Sequence, residues 1–123
     1  VDIRSRDERE GRASGYSDMD RKGRPVGSVW GRAGTRAVTL EDYRNVDDTM
    51  RNGHEILAMW RELGIQPEQR LVFFCGSGWR AAEVLTYAQV LGVKDAALYS
   101  NGWYEWSLDK RNPTESGPER AGR

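Results

Sequence analysis

The run Leu71-Val72-Phe73-Phe74, followed at once by Cys75-Gly76-Ser77-Gly78-Trp79-Arg80 and then by an apolar helical stripe, constrains this chain more than any other feature. Four consecutive apolar residues read as a strand buried on both faces of a parallel sheet. Ala81, Val84, Leu85, Ala88 and Leu91 then recur at helical spacing, and Gly92 closes the pattern. A strand that passes into a helix through a glycine-containing turn delivers Cys75 to the carboxyl edge of the sheet, where open α/β folds bind ligands. Gly76 and Gly78 let the backbone curl so that successive N–H groups converge. The positive end of the helix that starts near Trp79 points at the same place. Such a cradle stabilises a thiolate and offers several donors to an anion held over the sulfur. Arg80 is placed to close the loop and to face that anion with its planar fork of donors. The Ser77 hydroxyl adds one donor more.

The rest of the chain alternates strand and helix signals. Val1 to Arg4 reads as the end of a strand, and a charged stretch rich in arginine and glycine follows it. Pro25 to Trp30 gives a second strand signal between Gly23 and Gly31. Thr39 to Asn45 is expected as a short helix capped by Thr39. Asn52 and Glu55 form a capping-box-like pair ahead of Ile56, Leu57, Trp60 and Leu63, which share one helical face, and Gly64 ends that helix. Ala96 to Tyr99 reads as a further strand, Asn101-Gly102 as a turn, and Trp103-Tyr104-Glu105-Trp106 as the start of a last short helix. This order predicts an α/β domain with a parallel sheet and helices on both faces.

Composition narrows the functions open to such a domain. The 123 residues suit one domain, and 19 basic residues balance 19 acidic ones, so nothing in the charge supports a nucleic-acid or anionic-membrane partner. No apolar run approaches the roughly 20 residues of a membrane span, which implies a soluble domain; cytoplasm and periplasm both remain open. With one cysteine and one histidine (His54, expected to be solvent-exposed) there is neither a disulfide framework nor a Cys/His metal site. Residues 109–123 are polar, with two prolines and two glycines, and are expected to lie outside the core as a tail.

Cys75-Gly76-Ser77-Gly78-Trp79-Arg80-Ala81 resembles the active-site loop of the rhodanese family of sulfurtransferases. Val1-Asp2-Ile3-Arg4 resembles that family's Asp-x-Arg strand end, Pro25-Val26-Gly27-Ser28-Val29 the segment leading into its second strand, and Gly102-Trp103-Tyr104-Glu105-Trp106 its C-terminal signature. The match spans residues 1 to about 108 and is nearest to the C-terminal catalytic domain of a tandem bacterial thiosulfate sulfurtransferase. The chain opens on Val-Asp-Ile-Arg without the family's N-terminal lead-in, as expected of a domain taken from a longer protein.

The resemblance implies a three-layer α/β/α fold with a central parallel sheet of about four or five strands. It implies that the Cys75 thiolate takes a sulfane sulfur from a donor such as thiosulfate and passes the persulfide sulfur to a thiophilic acceptor, cyanide or a thiol. The backbone N–H groups of Gly76, Ser77, Gly78, Trp79 and Arg80 would hold the persulfide, with no metal or organic cofactor. Arg32 and Arg36 are candidate contacts for the sulfonate end of the donor, against a solvated surface as the competing reading. Arg4 is a third candidate contact, against a role in bonding a loop with Asp2 as its anchor. Other rhodanese domains of the same parent chain are candidate partners. The loop lacks a basic residue after the cysteine, and Gly76-Ser77-Gly78 is nearer to the branch that uses mercaptopyruvate, so both donors stay open.

Three other readings compete. A cysteine is often a small buried hydrophobe, but two glycines and a helix start make a poor core and a good anion nest. Cysteine phosphatases and arsenate reductases resemble this design with Cys-x5-Arg, whereas Cys75 and Arg80 give Cys-x4-Arg, and the tighter ring favours a single sulfur over a tetrahedral phosphate. A sulfur-relay module without turnover of its own would use the same persulfide.

Overall fold

A computed structural model describes residues 1–17, 19–36 and 39–119. Four helices, α1 (Arg6–Glu10), α2 (Gly53–Glu62), α3 (Trp79–Val90) and α4 (Gly102–Leu108), alternate with short strands, β1 (Arg24–Pro25), β2 (Leu71–Phe73), β3 (Ala96–Leu98) and β4 (Thr114–Glu115). Strands β2 and β3 pair in parallel, Leu71 opposite Ala96 and Phe73 opposite Leu98. Single-residue parallel bridges continue this pair: Asp2 bridges both Phe74 and Trp30. The amide of Ile3 donates to the Phe74 carbonyl at 2.9 Å, and that of Asp2 to the Val29 carbonyl at 2.7 Å. Where a central sheet of four or five strands was expected, the described residues form one regular parallel pair with bridged extensions. β1 pairs antiparallel with β4 in a separate two-stranded sheet.

The core lies against β2. Trp60 of α2 and Phe73 are in ring contact at 5.7 Å, and Trp60 donates through Nε1 to the Tyr43 hydroxyl at 2.7 Å. Ala81, Val84 and Ala88 bring the apolar stripe of α3 to the same cluster, which also holds Ile3, Ile56 and Leu71. Leu71 and Phe73 are buried as expected, but Val72 between them is 39% exposed, so β2 is not covered on both faces in this chain.

Some local expectations hold and others fail for identifiable reasons. Helix α2 starts at Asn52, whose side chain accepts from the His54 amide, but Glu55 pairs with Arg51 instead of closing a capping box. His54 is exposed, as expected. The helix expected over Thr39 to Asn45 is a turn. The Thr39 hydroxyl bonds to Arg36 rather than capping forward, and Tyr43 is drawn fully into the core, its hydroxyl donating to the Gly31 carbonyl. The strand expected over Pro25 to Trp30 breaks at a turn around Val26 and Gly27, leaving β1 on one side and the Trp30 bridge on the other.

The charged stretch after Arg4 holds α1, which has a complete capping box between Ser5 and Glu8. Beyond α4, polar contacts fix the segment onto the body. β4 joins β1, and Trp106 Nε1 donates to the Pro113 carbonyl at 3.0 Å.

Candidate active site

Cys75 follows Phe74, the bridge residue just beyond β2, and is fully buried. Its Sγ accepts a hydrogen bond from the Gly78 amide at 3.1 Å. Two glycines are fixed here by geometry. Gly78 sits at φ +106°, a left-handed conformation, and a Cβ on it would strike the Ser100 carbonyl oxygen. A Cβ on Gly76 would strike the ring of Tyr16. From the other side, α4 seals the loop: the Trp103 amide donates to the Cys75 carbonyl at 2.9 Å and the Tyr104 amide to the Gly76 carbonyl at 3.0 Å. The carbonyls are thereby turned to α4. None of the described residues supplies a backbone acceptor to the amides of Gly76, Ser77, Trp79 or Arg80. The last two belong to the unpaired first turn of α3.

Arg80 closes the loop differently from the sequence expectation. Its guanidinium is buried and grips Glu8 of α1, Nη1 to Oε1 at 2.9 Å and Nη2 to Oε2 at 3.0 Å, while Nη2 also donates to the Tyr16 hydroxyl at 2.9 Å. Burial works against its charge, but Glu8 outweighs that and holds the Arg80 pKa above its ordinary value. Only Nε is left buried without a partner. Arg80 thus spends most of its donors on protein groups.

Arg4 is wholly interior. It closes on Asp2 through Nε and Nη2 and donates to the Gly23 carbonyl at 2.8 Å, with the Phe74 and Trp103 rings against its guanidinium. A residue with no exposed surface is in no position to meet a donor arriving from solvent. Arg32 and Arg36 are both exposed but line different hollows. Arg32 sits with Arg51 and Glu55, and Arg36 with Thr39, Glu41 and Arg44. Neither lines the hollow at the mouth of the Cys75 loop.

That hollow, about 280 Å³, is lined by Tyr16, Arg44, Ser77, Trp79, Arg80 and Glu83. Trp79 stands 86% exposed at its rim. Arg44 is neutralised by Glu83, Nε to Oε2 at 2.8 Å. A larger hollow of about 420 Å³ lies between Gly27–Trp30 and Glu62–Gly64 and includes no residue of the Cys75 loop. Sequence reasoning missed Tyr16, Glu8 and Arg44. Glu8 carried one usable signal, the capping-box spacing from Ser5; the other two are brought in by tertiary structure alone.

The rhodanese-like domain family matches residues 1–109, a span that takes in the buried cysteine, its loop and the helix start behind it. The chain belongs to this family. YnjE, a thiosulfate sulfurtransferase of Escherichia coli (strain K12), is 47% identical over 117 residues, which are 95% of this chain and 27% of YnjE. The crystal structure of YnjE matches with a TM-score of 0.94 at 46% identity, over 97% of this chain and 29% of that one. A complex of EanB with hercynine matches with a TM-score of 0.93 at 42% identity, over 97% of this chain and 28% of that one. A probable 3-mercaptopyruvate sulfurtransferase of Pseudomonas aeruginosa is 36% identical over 52 residues, 42% of this chain and 18% of that protein. This rhodanese-like domain therefore spans little more than a quarter of the length of YnjE or EanB. None of its described helices is long and apolar enough to cross a membrane.

Proposed function

We propose that this rhodanese-like domain is the sulfur-carrying domain of a thiosulfate sulfurtransferase, with Cys75 as nucleophile and carrier. The Cys75 thiolate attacks the sulfane sulfur of thiosulfate. A new S–S bond forms, the S–S bond of thiosulfate breaks, and sulfite leaves with the bonding pair. The persulfide then lies under the amides of Gly76, Ser77, Gly78, Trp79 and Arg80. Cyanide or a thiol attacks its outer sulfur, and the Cys75 thiolate is regenerated. The observation that carries this reading is the Gly78 N–H on Cys75 Sγ at 3.1 Å, beside loop amides that have no backbone acceptor. Donors preorganised around a developing anion stabilise it without reorganisation. Further rhodanese domains in a parent chain fit the length of the relatives, since this chain covers only 27% of YnjE.

The test is intact-mass spectrometry after incubation with thiosulfate, with and without cyanide, on the wild type and Cys75→Ser. The wild type should gain one sulfur atom that cyanide removes, and the variant should gain none. A stable sulfur adduct on the variant would refute the assignment of Cys75. Parallel loading with mercaptopyruvate decides between the two donors.

A further inference from the structure

The groups lining the mouth of the Cys75 loop are nearly all spoken for. Arg44 is paired with Glu83 and Arg80 with Glu8, so both charges are offset by carboxylates, and of the Arg80 donors only the buried Nε is left without a partner. Beside them on the polar side stand two hydroxyls, Ser77 and Tyr16. Tyr16 is held in an unusual way. Its ring packs where a Cβ of Gly76 would be, and its turn rests on Glu8, since a Cβ on Gly15 (φ +85°) would strike the Glu8 carboxylate. Arg80, which is donor-only, fills the acceptor side of the Tyr16 hydroxyl at 2.9 Å. A phenol both donates and accepts. With its acceptor role taken by a cation, its own proton is left to give, and no described residue accepts it.

We propose that Tyr16 is a binding residue for the donor, its hydroxyl donating to the oxyanion end of a small sulfane-sulfur donor while the sulfane sulfur meets Cys75. The inference rests on the sulfur-transfer reading above and names a contact within it. The geometry orders the two ends. Sγ lies inside the loop under the Gly78 amide, so the sulfur being transferred must lie there. The rest of the donor then occupies the mouth, where Tyr16 stands. The same hydroxyl faces the sulfite oxygens as the S–S bond breaks and negative charge gathers on the leaving group. Arg80 polarises the phenol from behind and strengthens its donation, as hydrogen bonds in a chain do.

The test is Tyr16→Phe, which keeps the ring against Gly76 and removes only the hydroxyl. The readout is the single-turnover rate at which Cys75 gains sulfur, followed by intact mass. Two probes are compared: thiosulfate, which has an oxyanion end, and inorganic polysulfide, which has none. Loss of one preorganised donor is expected to slow thiosulfate loading by roughly 10²-fold, and to slow polysulfide loading far less. Unchanged thiosulfate loading would overturn the proposal, and so would an equal loss with both donors, the mark of a merely structural role. A wild type that loads from polysulfide but not from thiosulfate would sink both this inference and the thiosulfate reading. A wild type that loads from both, with Tyr16→Phe indifferent, would sink this inference alone.

Discussion

Replacing Glu8 by glutamine isolates the buried pair that fixes the back of the Cys75 loop. Glu8 and Arg80 are 1% and 5% exposed and bond bidentately across 72 residues of sequence. The Glu8 carboxylate also accepts from the Ser5 hydroxyl at 2.9 Å and the Ser5 amide at 3.3 Å. An amide of the same shape keeps one oxygen for Ser5 and Arg80 Nη1. It places an NH2 against Arg80 Nη2, donor facing donor, and leaves the guanidinium charge uncompensated. Arg80 Nε already lacks a partner, so the site has no spare acceptor to offer.

Breaking a buried pair by removing one partner costs about 3–5 kcal/mol, and the oxygen that survives argues for about 3 kcal/mol. At a urea m-value of about 1–3 kcal/mol/M, that lowers the unfolding midpoint by about 1–3 M. The assay is urea unfolding of the 123-residue chain followed by circular dichroism, on the wild type, Glu8→Gln, Arg80→Met and the double variant. Removing both charges should recover much of the loss, because an apolar replacement of a buried pair is often neutral or better. A fall below about 1 kcal/mol for Glu8→Gln, or losses that simply add in the double variant, would refute the coupling.

Two further outcomes follow from the geometry. Gly78→Ala forces a side chain into a left-handed conformation, at about 1–2 kcal/mol, and into the Ser100 carbonyl. Helical circular dichroism should persist while sulfur loading of Cys75 falls at least ~10-fold, as expected when a preorganised donor is displaced; full loading would refute the role given to the Gly78 amide. Burial works against the Asp2 charge, but Arg4 and Arg9 outweigh it and hold the carboxyl below the usual carboxylate range. A pKa depressed in the folded state adds stability that is complete above the unfolded value of 3.8 and fades as pH falls below it. Asp2→Asn should therefore flatten the acid limb of a stability-against-pH curve below about pH 4, and an unchanged limb would refute it.

What the sequence shows of this fold is set by how local each cause is. The strand at Leu71, the stripe of α3 and the loop between them rest on neighbouring residues, and the candidate site at Cys75 was legible from them. Thr39 misleads because a capping residue has two possible partners, and the core's demand for Tyr43 decides between them. Helix α1 has only five residues and no apolar stripe, so its one signal is Ser5 with Glu8 three residues on. Tyr16 had no signal at all. Nothing in Ser14-Gly15-Tyr16-Ser17 reports that a turn will rest on Glu8 and lay a ring across Gly76.

The overall charge balance of the sequence is repeated inside the site, and this determines where anion affinity must come from. Arg4 answers to Asp2, Arg80 to Glu8 and Arg44 to Glu83, each within about 3 Å. A guanidinium committed to a carboxylate contributes shape more than field, since the two charges cancel beyond a few ångströms. On the sulfur-transfer reading proposed above, attraction for a sulfur anion then rests mainly on the partial charges of the loop amides, the first turn of α3 and the two hydroxyls at the mouth. Such groups act at contact distance and demand correct orientation. Hence the loop is held on three sides, by Tyr16 over Gly76, by Ser100 under Gly78 and by the amides of α4 on the carbonyls of Cys75 and Gly76. The buried Glu8–Arg80 pair ties the first turn of α3, directly behind that loop, to α1.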